Sequence, residues 1–186
     1  KLMAPMGIGV LYGKENLLNA MSPFLTGGEM IESVTREGAV FAELPHKFEA
    51  GTVNGGGAWG LKAAIDYLNS IGFEAIEEKE NALTALAMEE LKKIPHVHVI
   101  GSQDPKEHNG ILNFTVDGVH PHDIASILDG AHVDVRAGHH CAQPLLAHLG
   151  VMVTTRASIS FYNSEEDVLR LIEQVKNIRR MMGYDE

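Results

Sequence analysis

The spacing of apolar side chains changes near Pro95, and the change separates two kinds of sequence. Before it, the pattern alternates between helix-like stretches and stretches with no period. Residues 7 to 12, GIGVLY, form a short apolar run bounded by glycines, as in a strand buried on both faces. KENLLNAM follows as a short helix. From Gly27 to Gly57 the chain is glycine-rich and aperiodic, which predicts long loops with room for a short hairpin; loops of this length are usually functional or interfacial. In AWGLKAAIDYLNSIG, Leu61, Ile65, Leu68 and Ile71 recur at near-helical spacing and Gly72 is placed to end the helix. A second helix over roughly 74 to 93 turns Leu83, Leu86, Leu91 and Ile94 inward and leaves Glu and Lys to solvent.

Beyond Pro95 the pattern is strands alternating with helices. VHVI, GILNFTV and HVDVR read as strands, PHDIASILDG and CAQPLLAHLG as helices. TRASISFY alternates strictly, with Ala157, Ile159 and Phe161 on one face and Arg156, Ser158 and Ser160 on the other. The last helix opens on a capping box, Ser164 with Asp167, and buries Val168, Leu171, Ile172, Val175 and Ile178. The second part is thus an α+β layer, a small sheet with helices on one face.

Composition narrows the function. The 186 residues suffice for one substantial core, and 45% hydrophobic with 22% charged residues excludes a disordered chain. No run of about 18 apolar residues could span a membrane. A formal charge of −10 speaks against nucleic acid, whose phosphates need a basic surface. The single cysteine cannot form an internal disulfide, and a free thiol fits a reducing, cytoplasmic setting. KLMAPMGIGV has neither the charged start nor the apolar stretch of a secretory signal. It has no initiating Met either and enters an apolar run within six residues, so a fragment of a longer polypeptide is expected.

Candidate chemistry centres on VDVRAGHHCAQP, residues 133 to 144. Cys141 has three readings: a small buried hydrophobe, a metal ligand, or a nucleophile. Positive charge and a helix N-terminus both favour the reactive thiolate, and Arg136, His139, His140 and a following helix offer both. Three consecutive residues cannot all face one ion from a regular backbone, which counts against zinc, and one thiolate cannot hold an iron–sulfur cluster. Arg156, on the polar face of its strand, has the planar fork that suits two-point binding of a carboxylate, although a surface ion pair is the plainer reading. Lys1 could form a Schiff base with an aldehyde cofactor, and Thr52, in FEAGT, offers a hydroxyl beside exposed backbone for a phosphate.

Taken together and in order, KLMAPMGIGVLY, FEAGTVN, VRAGHHCAQP and TRASISFYN resemble the C-terminal part of SufS-type cysteine desulfurases, pyridoxal-phosphate enzymes of aminotransferase class V. The resemblance covers essentially the whole chain, and its short Arg-x-Gly-His-His-Cys loop is what separates the SufS group from the IscS group. The fold implied is the C-terminal part of a fold-type I pyridoxal-phosphate transferase, α/β passing to α+β. Residues 1–70 would end the large cofactor domain with its dimer-interface loops, and residues 71–186 would form the small C-terminal domain with the cysteine loop. By the same resemblance, Lys1 matches the lysine that carries pyridoxal 5′-phosphate and moves protons at the substrate. Cys141 matches the nucleophile that takes sulfur from L-cysteine, leaving L-alanine and a persulfide. Arg156 resembles the residue that binds the substrate carboxylate, and Arg136 an active-site arginine beside the cysteine. Thr52 resembles a residue that reaches the cofactor phosphate of the neighbouring subunit in a homodimer. The sulfur would pass to a SufE-like or SufU-like acceptor for iron–sulfur cluster assembly, with His122 of HPHD a candidate contact. The chain departs from the family in two respects: AGTV stands where the family has AGTP, and the preceding segment that supplies most cofactor contacts is not in this sequence, so the isolated piece is expected to be inactive. A selenocysteine lyase of the same family would use the same residues, and a non-catalytic dimerisation or acceptor-docking domain is the alternative from a different class.

Overall fold

The computed structural model describes residues 2–184. The chain divides into two compact units, one ending at Ser70 and the other starting at Ile71.

The first unit contains α1 (Glu15–Ala20), a hairpin of β1 (Ile31–Val34) and β2 (Ala39–Phe41), a short 3-10 turn at His46–Phe48, and α2 (Gly55–Ile71). The hairpin is antiparallel, and the Thr35 hydroxyl oxygen closes it by accepting from the Glu37 and Gly38 backbone N–H groups, each at 3.2 Å. α2 starts through three glycines, which are poor helix formers. Asn54 compensates: its Oδ1 accepts from the Gly57 N–H at 2.9 Å, and its amide donates to the Gly7 carbonyl at 2.8 Å. The buried face of this helix is Gly57, Ala64 and Leu68. Ile65, expected to point inward, is exposed, because the small residues lie against the interior one position away. The strand expected over residues 7 to 12 does not form: a strand exists only through its ladder, no described segment pairs with this one, and Gly7 at φ +92° breaks the extended run.

The second unit contains α3 (Phe73–Lys92), β3 (Val97–Ile100), a 3-10 turn at Pro105–Glu107, β4 (Ile111–Val116), α4 (Pro121–Gly130), β5 (Arg136–Gly138), α5 (Gln143–His148), β6 (Thr154–Ser158) and α6 (Glu165–Met181). The four strands form an antiparallel sheet in the order β3-β4-β6-β5. Side chains alternate across it, so directly paired residues share a face. Leu112 pairs with Ala157 and Phe114 with Thr155 on the face where Leu91, Ile124, Leu128, Ile172 and Ile178 of α3, α4 and α6 complete a fully buried core. Each such side chain contributes roughly 1.5–3 kcal/mol.

The capping box of α6 is formed as the spacing requires: Ser164 Oγ accepts from the Asp167 N–H at 3.2 Å, and Asp167 Oδ2 accepts from the Ser164 N–H at 2.9 Å. All five residues expected on its inner face are buried. HVDVR is a strand only from Arg136 onward, since Val133 and Val135 turn inward against the core before the ladder begins. TRASISFY pairs only as far as Ser158; beyond it the Ser160 and Phe161 N–H groups turn to Asn163 and Glu80. Among the described residues, no helix is long and apolar enough to cross a membrane.

Candidate active site

The face of the sheet away from α3, α4 and α6 carries the chemistry. Arg136 on β5, Arg156 on β6 and Asn113 on β4 stand directly opposite one another on neighbouring strands, so their side chains rise from one rung on the open face. Like charges placed opposite each other repel. Two guanidinium groups on one rung therefore favour an anion beside them. Arg156 adds a second sign of this: its Nε is buried and finds no hydrogen-bond partner among the described residues. A buried donor without an acceptor is costly, and a carboxylate seated there would supply one.

Cys141 follows β5. Gly138, at φ +130°, leads the chain out of the strand, and the next four residues make a tight turn in which the Ala142 N–H donates to the His139 carbonyl at 2.8 Å. His140 and Cys141, its two central residues, both have positive φ, 54° and 60°. Side chains with a Cβ resist this conformation by about 1–2 kcal/mol per residue. The sulfur is exposed, with Arg136 Nη2 donating to Sγ at 3.6 Å. A guanidinium N–H at this position stabilises negative charge on the sulfur. The helix expected after the cysteine begins at Gln143 and is one and a half turns long.

His140 points back into the fold. Its Nε2 lies 2.9 Å from Thr154 Oγ1 and 3.2 Å from the Thr154 carbonyl, and Thr154 Oγ1 donates in turn to Asn113 Oδ1 at 3.3 Å. Burial lowers the His140 pKa below the ordinary histidine value; the bond to the Thr154 carbonyl opposes this, and the charges of Arg156, Arg136 and His139 reinforce it. The balance favours the neutral form of the ring. Beside it, His139, Ala142, Leu145 and Leu149 border an open cleft of about 290 Å³ floored by Ile100, Ile111 and Asn113.

A family model described as aminotransferase class-V matches residues 1–171. The chain belongs to the aminotransferase class-V family. Within that family it is similar to a probable cysteine desulfurase of Staphylococcus aureus, 46% identical over 186 residues, which are the whole of this chain and 45% of that protein. Among solved structures it superposes on a cysteine desulfurase of Thermococcus onnurineus with a TM-score of 0.92 at 42% identity, over 97% of this chain and 45% of that one. The cysteine desulfurase CsdA of Escherichia coli, solved in an S-sulfonic acid form, gives a TM-score of 0.90 at 41% identity, over 97% and 44%. The chain spans less than half the length of these relatives.

Three residues singled out in the sequence of this class-V chain meet at one place: Cys141, Arg136 and Arg156. The remaining three candidates are Lys1, Thr52 and His122. Lys1 lies outside the described residues. Thr52 is on an exposed bend of the first unit, its hydroxyl free among the described residues. His122 is exposed in the first turn of α4, its ring stacked 5.4 Å from that of His120, on a helix that packs against the other face of the sheet. The sequence reading missed Thr154, Asn113 and the inward role of His140. Parity could have found the first two, since Thr154 shares the face of Arg156 two residues on.

Proposed function

We propose that this chain is the sulfur-accepting part of a cysteine desulfurase, in which Cys141 takes sulfur from L-cysteine to form a persulfide and L-alanine. The observation that carries the reading is the 3.6 Å contact of Arg136 Nη2 with the exposed Cys141 sulfur, Arg136 sharing its rung with the unsatisfied Arg156. Arg156 binds the substrate carboxylate through its fork and so fixes the amino acid relative to the sulfur. The Cys141 sulfur, beside Arg136, attacks the substrate sulfur in the thiolate form that sulfur nucleophiles react in. The Cβ–S bond breaks, its electron pair stays on the carbon that becomes the alanine methyl and takes up a proton there, and the new S–S bond leaves the persulfide on Cys141.

The residues present fit pyridoxal 5′-phosphate at one edge. Gly51, at φ +81°, has open space where a Cβ would stand, which leaves the free Thr52 hydroxyl accessible as a phosphate donor. Lys1 would hold the aldehyde carbon of one cofactor and Thr52 the phosphate of the neighbouring subunit's, both carried over from the sequence resemblance. Such a cofactor, when bound, supplies an electron sink for the bonds of the substrate amino acid. The SufS grouping and a SufE-like or SufU-like acceptor serving iron–sulfur cluster assembly, with His122 toward that acceptor, are supported by the short loop that holds Cys141 and by the exposure of His122; a homodimer is supported by the exposed Tyr12, Phe24 and Leu25 of the first unit, and a cytoplasmic location by the single free thiol.

The test is Arg156→Lys in the full-length protein. Losing one charge-assisted bond costs about 1.5–3 kcal/mol, so KM for cysteine should rise on the order of 10- to 100-fold with cofactor absorbance retained. An unchanged KM would remove Arg156 from substrate binding.

A further inference from the structure

The turn that presents Cys141 is unfavourable by itself. Closed by the Ala142 N–H on the His139 carbonyl, with positive φ at both central residues, it has the backbone of a type I′ turn, which Gly, Asn and Asp adopt most readily and Cys does not. Something outside the turn must hold it. The contact between Arg136 and Sγ is exposed and long. The His140 ring is the stronger tie, part-buried and fixed to β6 at two points, 2.9 Å and 3.2 Å from Thr154 Oγ1 and the Thr154 carbonyl.

The direction of these bonds follows from the neighbours. Thr154 Oγ1 directs its proton to Asn113 Oδ1, so it accepts from His140, and a carbonyl only accepts. Nε2 is therefore the protonated nitrogen of the ring. Nδ1 is buried and finds no partner among the described residues. A second proton there would create a buried N–H with no acceptor. It would stand among Arg136 of β5, Arg156 of β6 and His139 of the turn, while Glu107 and His108 line the cleft from the side of the 3-10 turn. Neither ring nitrogen contacts the Cys141 sulfur, so the ring acts through the backbone.

We infer that His140 is a positioning residue for Cys141: its ring, donating through Nε2 to Thr154, clamps the strained turn onto β6 and so holds the sulfur beside Arg136 and the carboxylate-binding rung. This rests on Cys141 being the nucleophile proposed above. It makes the Gly-His-His-Cys stretch a clamp followed by a warhead, in which the histidine next to the cysteine sets geometry rather than moving protons.

The test uses three substitutions of His140 in the full-length holoenzyme, read by the rate of iodoacetamide alkylation of Cys141 and by kcat and KM for cysteine. His140→Ala removes the clamp; alkylation at neutral pH should slow, and kcat should fall about 10- to 100-fold, the loss expected for misplacing a reacting atom by roughly 1 Å, with KM nearly unchanged because Arg156 is untouched. His140→Gln places an amide N–H near the position of Nε2 and should recover most of both rates. His140→Asn suits positive φ but is too short to reach Thr154, so it should stay as slow as Ala. Rescue by Asn and not by Gln would show that backbone preference governs the turn, and would overturn the proposal. Equal rates in all four proteins, or a fall in KM-dependent terms alone, would also overturn it. Thr154→Val, which keeps the carbonyl acceptor and loses the hydroxyl, should give an intermediate kcat; a full wild-type rate there together with a slow Gln variant contradicts the clamp even if the Ala variant folds poorly. Should Cys141→Ser retain sulfide release, the nucleophile assignment fails while the alkylation series still reads the clamp.

Discussion

Phe114 and Trp59 are both large aromatic side chains, and they meet opposite surroundings. Phe114 is fully buried where β4 meets the helices of the second unit, whereas Trp59, on the second turn of α2, is 75% exposed. The same contrast runs through the two units. In the second, Leu91, Leu112, Ile124, Leu128, Ile172 and Ile178 are closed off from water. In the first, Met6, Val10, Tyr12, Phe24 and Leu25 are exposed, and the buried hydrophobic side chains are Met30, Ala64 and Leu68. Periodic sequence brings its own partners: three amphipathic helices and an alternating sheet close on each other. Aperiodic, glycine-rich sequence does not, and its apolar residues stay at the surface, as interaction surfaces do.

The sharpest way to break this contrast is to truncate both aromatics in the 186-residue chain. Phe114→Ala should destabilise the second unit by about 3–5 kcal/mol in urea unfolding, and Trp59→Ala by less than about 0.5 kcal/mol. Equal losses would mean that the first unit has a core of its own. The contrast is sharpened next by pH, because the second unit contains a neutral, part-buried histidine. His140 has its pKa lowered on folding, so the unfolded chain binds the proton more readily. Its contribution is fully present above the unfolded value of about 6.5 and is lost as pH falls from there toward the folded value. The urea midpoint of the second unit should therefore drop on acidification below about pH 6.5, and less so in His140→Gln. Asp117, whose pKa is lowered by hydrogen bonds from His98 and His96, acts with the same sign but in a lower window, below its unfolded value of 3.8. A smaller loss than that of Phe114→Ala is expected at the start of α6: Ser164→Ala removes one half of the capping box and should cost about 1 kcal/mol, with the second unit alone responding.

How much was legible in the sequence follows the same division. Period-3.6 and period-2 patterns located α3, α4, α6, β3, β4 and β6, together with the capping box, because those signals are local and each element buries the face its own sequence marks. GIGVLY misled because an apolar run without a period says nothing about whether a ladder partner exists. Ile65 misled because α2 turns small residues, Gly57 and Ala64, to its interior. In the site, Cys141, Arg136 and Arg156 stood out by residue type. The clamp of His140 on Thr154 and Asn113 did not, since it depends on the register between β4 and β6 and on a turn whose positive φ at Cys141 no propensity of that residue would suggest.

One measurement bears most directly on the central claim that the Cys141 sulfur, held beside Arg136, receives the sulfur of L-cysteine. In the full-length protein loaded with pyridoxal phosphate, Cys141→Ser should leave the cofactor absorbance intact and abolish both sulfide release and alanine formation. Alanine formation at the wild-type rate in that variant would contradict it.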